Sequence, residues 1–434
     1  MYFFMSLFFY DDGYLMTDGV HHSIFNIRYS IFDIRYSIFD IHSFFKRPPD
    51  SYIFLYALKT VNESVKELLM FFFVISYHFS ASDGLRMYQK SDMNFILIIF
   101  VLLSLNNSPA TTVGPGNIKS VRVVFWNVEN LYDTYDDTTR LDNEFTPGGM
   151  MRWNYTRFHS KINHVTKTLL ALGQWEPPGI IGFCEVENRY VMNKLIYESP
   201  LKPYGYRMIH HESPDLRGID VALLYRPSVF QVIDSKPFKI RFPFDTSAQT
   251  REILLVKGVV HGHDTLNLLI NHWPSRRGGY AESQPRRDFV ASVLKHIADS
   301  LQSSRPGSKI LIMGDFNDEP TSASITNILH AIPPDSMRNP CDLVNLMQPM
   351  CGKQGSHRYK GIWSLLDQFM ISGSLFIQTG GLHLVKGSVT VYKEGFLLKD
   401  DLKYFGSKPF RTFNGFRYEG GFSDHLPVYL DLAY

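Results

Sequence analysis

The stretch Ile310-Leu-Ile-Met-Gly-Asp-Phe-Asn-Asp-Glu-Pro320 decides the fold. The apolar run Ile310 to Met313 reads as a strand buried on both faces, because only such a strand dispenses with polar alternation. It then ends abruptly in Asp315, Asn317, Asp318 and Glu319. Polar groups at the tip of a buried strand are costly unless something binds them. Asp315 and Asn317 are two apart, so on an extended chain they project to the same side, where carboxylate and amide together hold a water and a phosphate oxygen.

The same style recurs along the chain. Val121 to Trp126 reads as a strand followed by Asn127, Ile180 to Cys184 as a strand ending in Glu185, and Leu266 to Ile270 as a strand ending in Asn271-His272. Val221 to Tyr225 is a further strand, and the last one, Pro427 to Leu432, follows Ser423-Asp424-His425 directly. Between them lie helical patterns. One runs from about Phe158 to Leu172, with Ile162, Val165, Leu169 and Leu172 on one face and Gly173 as its cap. A second is marked by Phe289, Val290, Val293, Leu294, Ile297 and Leu301. This many apolar runs finishing in polar residues point to one shared site at the rim of a sheet.

The residue types define the chemistry available there. Glu185 offers a hard oxygen suited to Mg²⁺ or Mn²⁺, and Asn127 with Glu129, again two apart, adds direct or water-mediated contacts. His272 and His425 change charge near neutral pH, as a general acid or a phosphate-binding group must. Asp424 and His425 are adjacent and point apart on a strand, which makes Asp367 the better partner for His425.

Six segments in this order, FWNVEN (125–130), GFCEVENR (182–189), NHWPSRRGG (271–279), GDFNDEP (314–320), LLDQFMIS (365–372) and GFSDHLPV (421–428), resemble the endonuclease/exonuclease/phosphatase superfamily over about residues 119–434. That superfamily includes pancreatic deoxyribonuclease, exonuclease III, apurinic endonucleases, sphingomyelinases and inositol polyphosphate 5-phosphatases. The resemblance implies an α/β (α+β) fold, a four-layer sandwich of two mixed β-sheets flanked by helices, and metal-dependent in-line hydrolysis of a phosphate ester. By the same resemblance Glu185 is the main metal ligand, with Asn127, Glu129 and Asp424 at or near the metal. Asp315 orients or deprotonates the attacking water, Asn317 holds the phosphate, and His425 with Asp367 stabilises the pentacovalent phosphorus. His272 matches the deoxyribonuclease-like histidine that helps the leaving group, where members similar to exonuclease III carry tyrosine. Asp220 is its candidate partner.

The substrate reading rests on local clusters, since the 434-residue chain carries a formal charge of only +2. Arg276, Arg277, Arg286 and Arg287 lie just beyond His272, while Lys403, Lys408, Arg411 and Arg417 precede Asp424, interleaved with Tyr404, Phe405, Phe410, Phe413, Phe416 and Tyr418. Basic groups neutralise backbone phosphates and aromatic rings stack on bases, so nucleic acid is the expected partner, with Arg217 a further phosphate contact. The alternatives are a phosphatase or a phospholipid or inositol-phosphate phosphodiesterase, and a non-catalytic binding module. The sequence has no long apolar hairpin of the kind that dips into a bilayer, and no motif residue is missing as a binding module would require.

The chain before residue 111 reads differently. Residues 23–43 repeat SIFNIRY, SIFDIRY and SIFDIHS with a period that fits neither a strand face nor a helix seam, so residues 1–86 are expected to be a non-native or disordered upstream extension. From Met87 to Ala110 the run Phe95 to Leu105 is too short for a membrane span and suits a signal peptide, which predicts an exported protein starting near Thr111; the protein is expected to be a monomer. Of the three cysteines, Cys184 reads as buried and free, and Cys341 and Cys351 either bridge after export or stay reduced.

Overall fold

The computed structural model describes residues 119–174, 176–378 and 380–434. The heptad repeat and the leader-like segment lie outside the described residues. Strand β1 (Ser120–Leu131) is the spine of a first sheet, paired in parallel with β2 (Ile180–Val186) and antiparallel with the last strand, β20 (Val428–Ala433). The sheet continues from β2 to β4 (Asp220–Tyr225) and β3 (Arg207–His210), and on its other side β14 (His383–Leu384) and β15 (Thr390–Val391) pair with β20.

A second sheet runs in the order β5 (Phe230–Phe238), β6 (Ile253–Val260), β7 (Asp264–His272), β8 (Lys309–Asp315), β13 (Asp367–Ser372), β10 (Leu343–Asn345) and β9 (Ala331–Ile332). Both sheets are mixed: β7 and β8 are parallel, β8 and β13 antiparallel. Alternation along the central strands explains the layers. Leu311 and Met313 of β8, Leu268 and Ile270 of β7, and Phe369 and Ile371 of β13 share the main core with Val124, Trp126 and Phe183 of the first sheet. Their neighbours Ile310, Ile312, Leu269 and Met370 turn the other way and pack against Val290, Ala291, Leu294 and Ile297 of helix α3 (Tyr280–Ser304).

Helix α1 (Tyr155–Gly173) starts where the side chain of Asn154 accepts a hydrogen bond from the Arg157 N–H, and its face Phe158, Ile162, Val165, Leu169 and Leu172 joins the main core beside β1. A shorter helix, α2 (Arg189–Tyr197), is capped the same way by Asn188, and α4 (Gly373–Phe376) is a single turn. Helices therefore flank two mixed sheets, as the sequence resemblance implies. Among the described residues no helix is long and apolar enough to cross a membrane. Cys184, Cys341 and Cys351 are free thiols, so the alternative of a bridge between Cys341 and Cys351 is not formed.

Three strands depart from the sequence reading. β1 continues through Asn127 to Leu131 where a polar loop is expected, because a bulge absorbs the polar residues. β5 and β6 are strands that interrupted apolar runs do not announce. Gly314, directly before Asp315, is held where a Cβ would lie 2.5 Å from the Asn271 carbonyl oxygen and 2.6 Å from its Cβ. This close approach of β7 and β8 sets the spacing between His272 and Asp315. Gly314→Ala is therefore expected to destabilise the protein by about 1–3 kcal/mol through overpacking, read as a lower denaturation midpoint; an unchanged midpoint would mean that the two strands have room to part.

Candidate active site

Strand register assembles the site. Asp315 at the end of β8 stands opposite His272 of β7 on one side and Asp367 of β13 on the other. Odd-numbered positions of β8 face the first sheet, so the Asp315 carboxylate points between the sheets, where Asn127 of β1 meets it. Oδ2 of Asp315 accepts a hydrogen bond from Asn127 Nδ2 at 3.0 Å and lies 3.8 Å from Nε2 of both His272 and His425. His272 Nε2 is 3.9 Å from Oε1 of Glu185. His425 Nδ1 donates to Oδ2 of Asp367 at 2.7 Å.

The backbone at these strand ends is unusual. Glu129, Asn130, Glu185 and Asn317 have φ of 50°, 54°, 61° and 52°, a left-handed conformation that costs a side-chain-bearing residue of order 1–3 kcal/mol. The conformation turns amide N–H groups inward. Asn317 N donates to Oδ1 of Asp315, Asn130 N to Oε2 of Glu185, and Glu129 N to Oδ1 of Asn127, each at 2.9 Å. Bulges in β1 and β2 accompany the turns.

The electrostatics separate the two histidines. His425 is buried, which lowers its basicity, but Asp367 and Asp315 outweigh this and hold the ring well above its usual value, hence protonated. His272 is also buried, and Arg251, Arg217 and His425 add repulsion, so its ring is held well below the usual value and neutral. Burial, reinforced by Asp367, raises the Asp315 carboxyl to about 6. Asp424 lies at about 2, because Arg411, His425 and His357 overcome its burial. Arg411 Nη2 donates to Asp424 at 2.8 Å.

The donor set fits a hard divalent cation through Glu185. Its Oε2 takes the Asn130 N–H, and its Oε1, facing His272, accepts no hydrogen bond among the described residues. Asn127, on the neighbouring strand β1, has its Oδ1 taken by the Glu129 N–H, and Asp424 gathers with His357 and His425. Glu129 does not present a free oxygen: Oε2 accepts from Thr412 N at 2.6 Å, and Oε1 from Phe413 N at 3.3 Å with Arg411 Nε at 3.5 Å. Its carboxyl, raised to about 7 by burial and by Asp424, anchors the 411–413 segment.

Other sequence-derived candidates are placed elsewhere. Asp220 does not meet His272; it is held by His210 Nε2 at 3.1 Å and Ser213 N at 2.9 Å, while His272 Nδ1 is buried without a partner. Arg287 is buried against Asp318 at 3.0 Å and so reaches no groove, and Arg286 pairs with Asp245 at the surface. Arg276 Nε donates to the Asn317 carbonyl at 2.6 Å and so braces the loop that carries Asn317. Arg277 is exposed, and Arg217 is partly exposed with its charge favoured by Glu185 and Asp215 against the cost of burial. Phe413 is core and Phe410 packs on it, whereas Phe405 and Phe416 are exposed.

Two features escape sequence reasoning. His357, at the start of β11 (His357–Tyr359), bridges to His425 with ring centroids 4.7 Å apart. A lone histidine ahead of a short strand carries no sequence signal. Beyond it, the hairpin of β11 and β12 (Ile362–Ser364) is tied through Arg358 to a second hairpin of β16 (Leu398–Asp400) and β17 (Ser407–Pro409): the guanidinium donates to Asp401, to Ser407 O at 3.1 Å and to Phe405 O at 2.7 Å. Their tips expose Tyr359, Ile362, Leu402 and Phe405, so short apolar hairpins are present where the sequence reading expects no long one.

The sequence matches the profile of the endonuclease/exonuclease/phosphatase family over residues 122–434. The chain belongs to this family. Members of the family are phosphoric ester hydrolases that use divalent metals. None of the curated proteins matches the chain. Among solved structures, an endonuclease/exonuclease/phosphatase family protein from Bacteroides thetaiotaomicron is 15% identical with a TM-score of 0.45, covering 73% of this chain and 98% of that one. A mannosyl-6-phosphatase from Bacteroides thetaiotaomicron VPI-5482 is 13% identical with a TM-score of 0.44, covering 72% and 100%. D. rerio TDP2, complexed with a single-strand DNA product, is 15% identical with a TM-score of 0.41, covering 72% and 99%.

The protonated His425 has a consequence for stability. An unfolded histidine titrates near about 6.5, so a raised folded value makes the native state hold the proton; this contribution is complete below that pH and is lost as pH rises through the folded value. His425→Gln strands Asp367, and is expected to cost roughly 3 kcal/mol at about pH 6 and less at about pH 9. Denaturant titrations of both proteins at the two pH values read the difference; a gap that widens with pH would contradict a protonated His425.

Proposed function

We propose that this chain is a Mg²⁺- or Mn²⁺-dependent phosphodiesterase that cleaves nucleic acid as an endonuclease, by in-line attack of water. The observation that carries the reading is the convergence of Asn127, His272 and His425 on Oδ2 of Asp315, with Asp367 behind His425 and Glu185 beside His272. Asp315, with its carboxyl near 6, accepts the proton of the attacking water. Asn127 and Asn317 fix this carboxylate and its surroundings. The charged His425 faces the negative charge that develops on the phosphoryl oxygens, and Asp367 keeps it charged and oriented. His272, neutral, offers one ring N–H to an oxygen of the substrate rather than a full proton. Glu185 would be the main residue to hold the divalent ion, with Asn127 and Asp424 as further candidates, and the ion would supply Lewis-acid polarisation of a phosphoryl oxygen.

Nucleic acid is favoured by the exposed Arg277 and the partly exposed Arg217 and Arg411, which suit backbone phosphates, and by the exposed rings of Phe405, Phe416 and Tyr280, which suit bases. A second reading, a phosphatase or phospholipid phosphodiesterase of the same chemistry, is favoured by one observation. Ile362 and Leu402 are 70% and 90% exposed at the hairpin tips, and aliphatic side chains insert into lipid but do not stack on bases.

Supercoiled plasmid is expected to be nicked in Mg²⁺ or Mn²⁺, not in EDTA, and about a hundredfold to a thousandfold more slowly by Asp315→Ala. Absence of nicking with either ion would overturn the nuclease reading, and release of phosphate from small esters or of head groups from phospholipid vesicles would then support the second one. Export is part of the proposal and rests on the apolar run Phe95 to Leu105 with its small-residue tail. Sequencing the natural N-terminus is expected to give a start near Thr111; a mature chain carrying residues from before Met87 would refute it.

A further inference from the structure

One imidazole beside the reaction centre has no part in the chemistry above. His357 opens β11, half-buried, and its backbone forms an isolated antiparallel bridge with His425. The two rings pack with centroids 4.7 Å apart and planes 36° from parallel. One nitrogen of each ring and one carboxylate oxygen of Asp424 lie within 4.8 Å of one another.

The chain holds this ring in place. Ser356 Oγ accepts the Asp367 N–H at 3.1 Å, the Ser356 carbonyl accepts the Leu426 N–H at 2.7 Å, and the Ser356 N–H donates to the Ser364 carbonyl at 2.9 Å. Gly355 packs so closely that a Cβ there would lie 2.7 Å from the Trp363 Cβ. Asp367 and the residue after His425 therefore both grip the residue before His357, and the three side chains keep a fixed relation.

What the ring lacks is a partner. Neither nitrogen of His357 hydrogen-bonds to a described residue, and neither is sealed from solvent as Nδ1 of His272 is. An imidazole in either charge state carries at least one N–H. A donor held in place and left to water exchanges that water for a ligand oxygen at little cost. The neighbours decide the sign of the ligand. His425 already gives one nitrogen to Asp367, and Asp424 is paired with Arg411 at 2.8 Å. A metal ion would meet the charged His425 and the Arg411 guanidinium, whereas an oxyanion is attracted by both.

We propose that His357 is a further substrate-binding residue, which donates a ring N–H to a non-bridging oxygen of the phosphoryl group that His425 faces, so that two adjacent imidazoles hold the phosphate together. This role rests on the phosphate-ester reading above and adds to it a residue outside all six sequence motifs.

The test reads binding rather than turnover. Inorganic phosphate is titrated into the full chain in Mg²⁺ and followed by calorimetry, with His425→Gln as the control that places the phosphate in the site. His357→Phe keeps an aromatic ring against His425 and removes the N–H; it is expected to weaken phosphate binding about tenfold with an unchanged denaturation midpoint. His357→Gln and His357→Asn give up the ring packing but return an amide N–H near one or the other ring nitrogen, and the better of the two is expected to bind within about threefold of the parent. A side chain that serves only to pack on His425 predicts the reverse order. That reverse order, or phosphate binding unchanged in His357→Phe, would overturn the proposal. Absence of phosphate binding by the parent chain, or binding that His425→Gln leaves unchanged, would instead overturn the phosphate-ester reading beneath it.

Discussion

The structure depends on neutralising carboxylates that strand pairing forces together. Asp315 and Asp367 face one another across β8 and β13, an arrangement that is repulsive by itself. His425 resolves it by placing one ring nitrogen against each acid, at 2.7 Å from Asp367 and 3.8 Å from Asp315. Arg411 does the same for Glu129 and Asp424, at 3.5 Å and 2.8 Å. Buried Lys161 of α1 donates to Thr412 and the Phe422 carbonyl and lends a further positive charge to Glu129 and Asp424. The cations thus come from α1 and from residues 411–425, distant in sequence from the strand ends they serve. Pairing of β20 with β1 delivers His425, so closing the first sheet and completing the site are one event.

The backbone takes part in the same balance. At Glu129, Asn130 and Asn317 the left-handed turn directs an amide N–H toward an oxygen of Asn127, Glu185 or Asp315. A continued strand would have spent those N–H groups on ladder bonds and left the acids less well solvated. The local strain is therefore offset by charge-assisted hydrogen bonds, which are stronger than ladder bonds between neutral groups. It is also a source of rigidity, since a side chain held at both carboxylate oxygens has little freedom left to lose on binding substrate.

What the sequence revealed and what it hid divide along physical lines. Asp315, Glu185 and His272 were legible because a buried strand tolerates polar residues only at its tip, and Asp367 was legible as the partner of His425 because adjacent residues on a strand diverge. Helix α1 was legible from its apolar spacing. The continuation of β1 through Asn127 to Leu131 was not, because a bulge breaks the alternation on which strand recognition relies. Asp220 was misplaced because its partner, His210, is brought in by a turn whose geometry composition does not encode. Arg287 looked like a surface cation, and only the α3 packing reveals its burial against Asp318. The exposed hairpin tips were missed because Ile362 and Leu402 are isolated apolar residues in sequence, gathered only when Arg358 ties the two hairpins together.

His272 and His425 stand at the same distance from one Asp315 oxygen and yet carry different charge. Distance to that carboxylate therefore cannot be what sets their protonation. For His425 the deciding group is Asp367, which receives the opposite ring nitrogen directly. For His272 the opposite nitrogen is buried without a partner, and burial together with repulsion from Arg251 and Arg217 favours the neutral ring. Proton affinity at this site is thus set for His425 by the acid on its opposite nitrogen and for His272 by burial with no such acid. Environments that drive identical residues in opposite directions are the means by which one site holds a donor and a neutral partner at the same pH. Here the asymmetry originates in sheet order: His272 borders β6 and the arginine preceding it, whereas His425 enters over β13 and its acid.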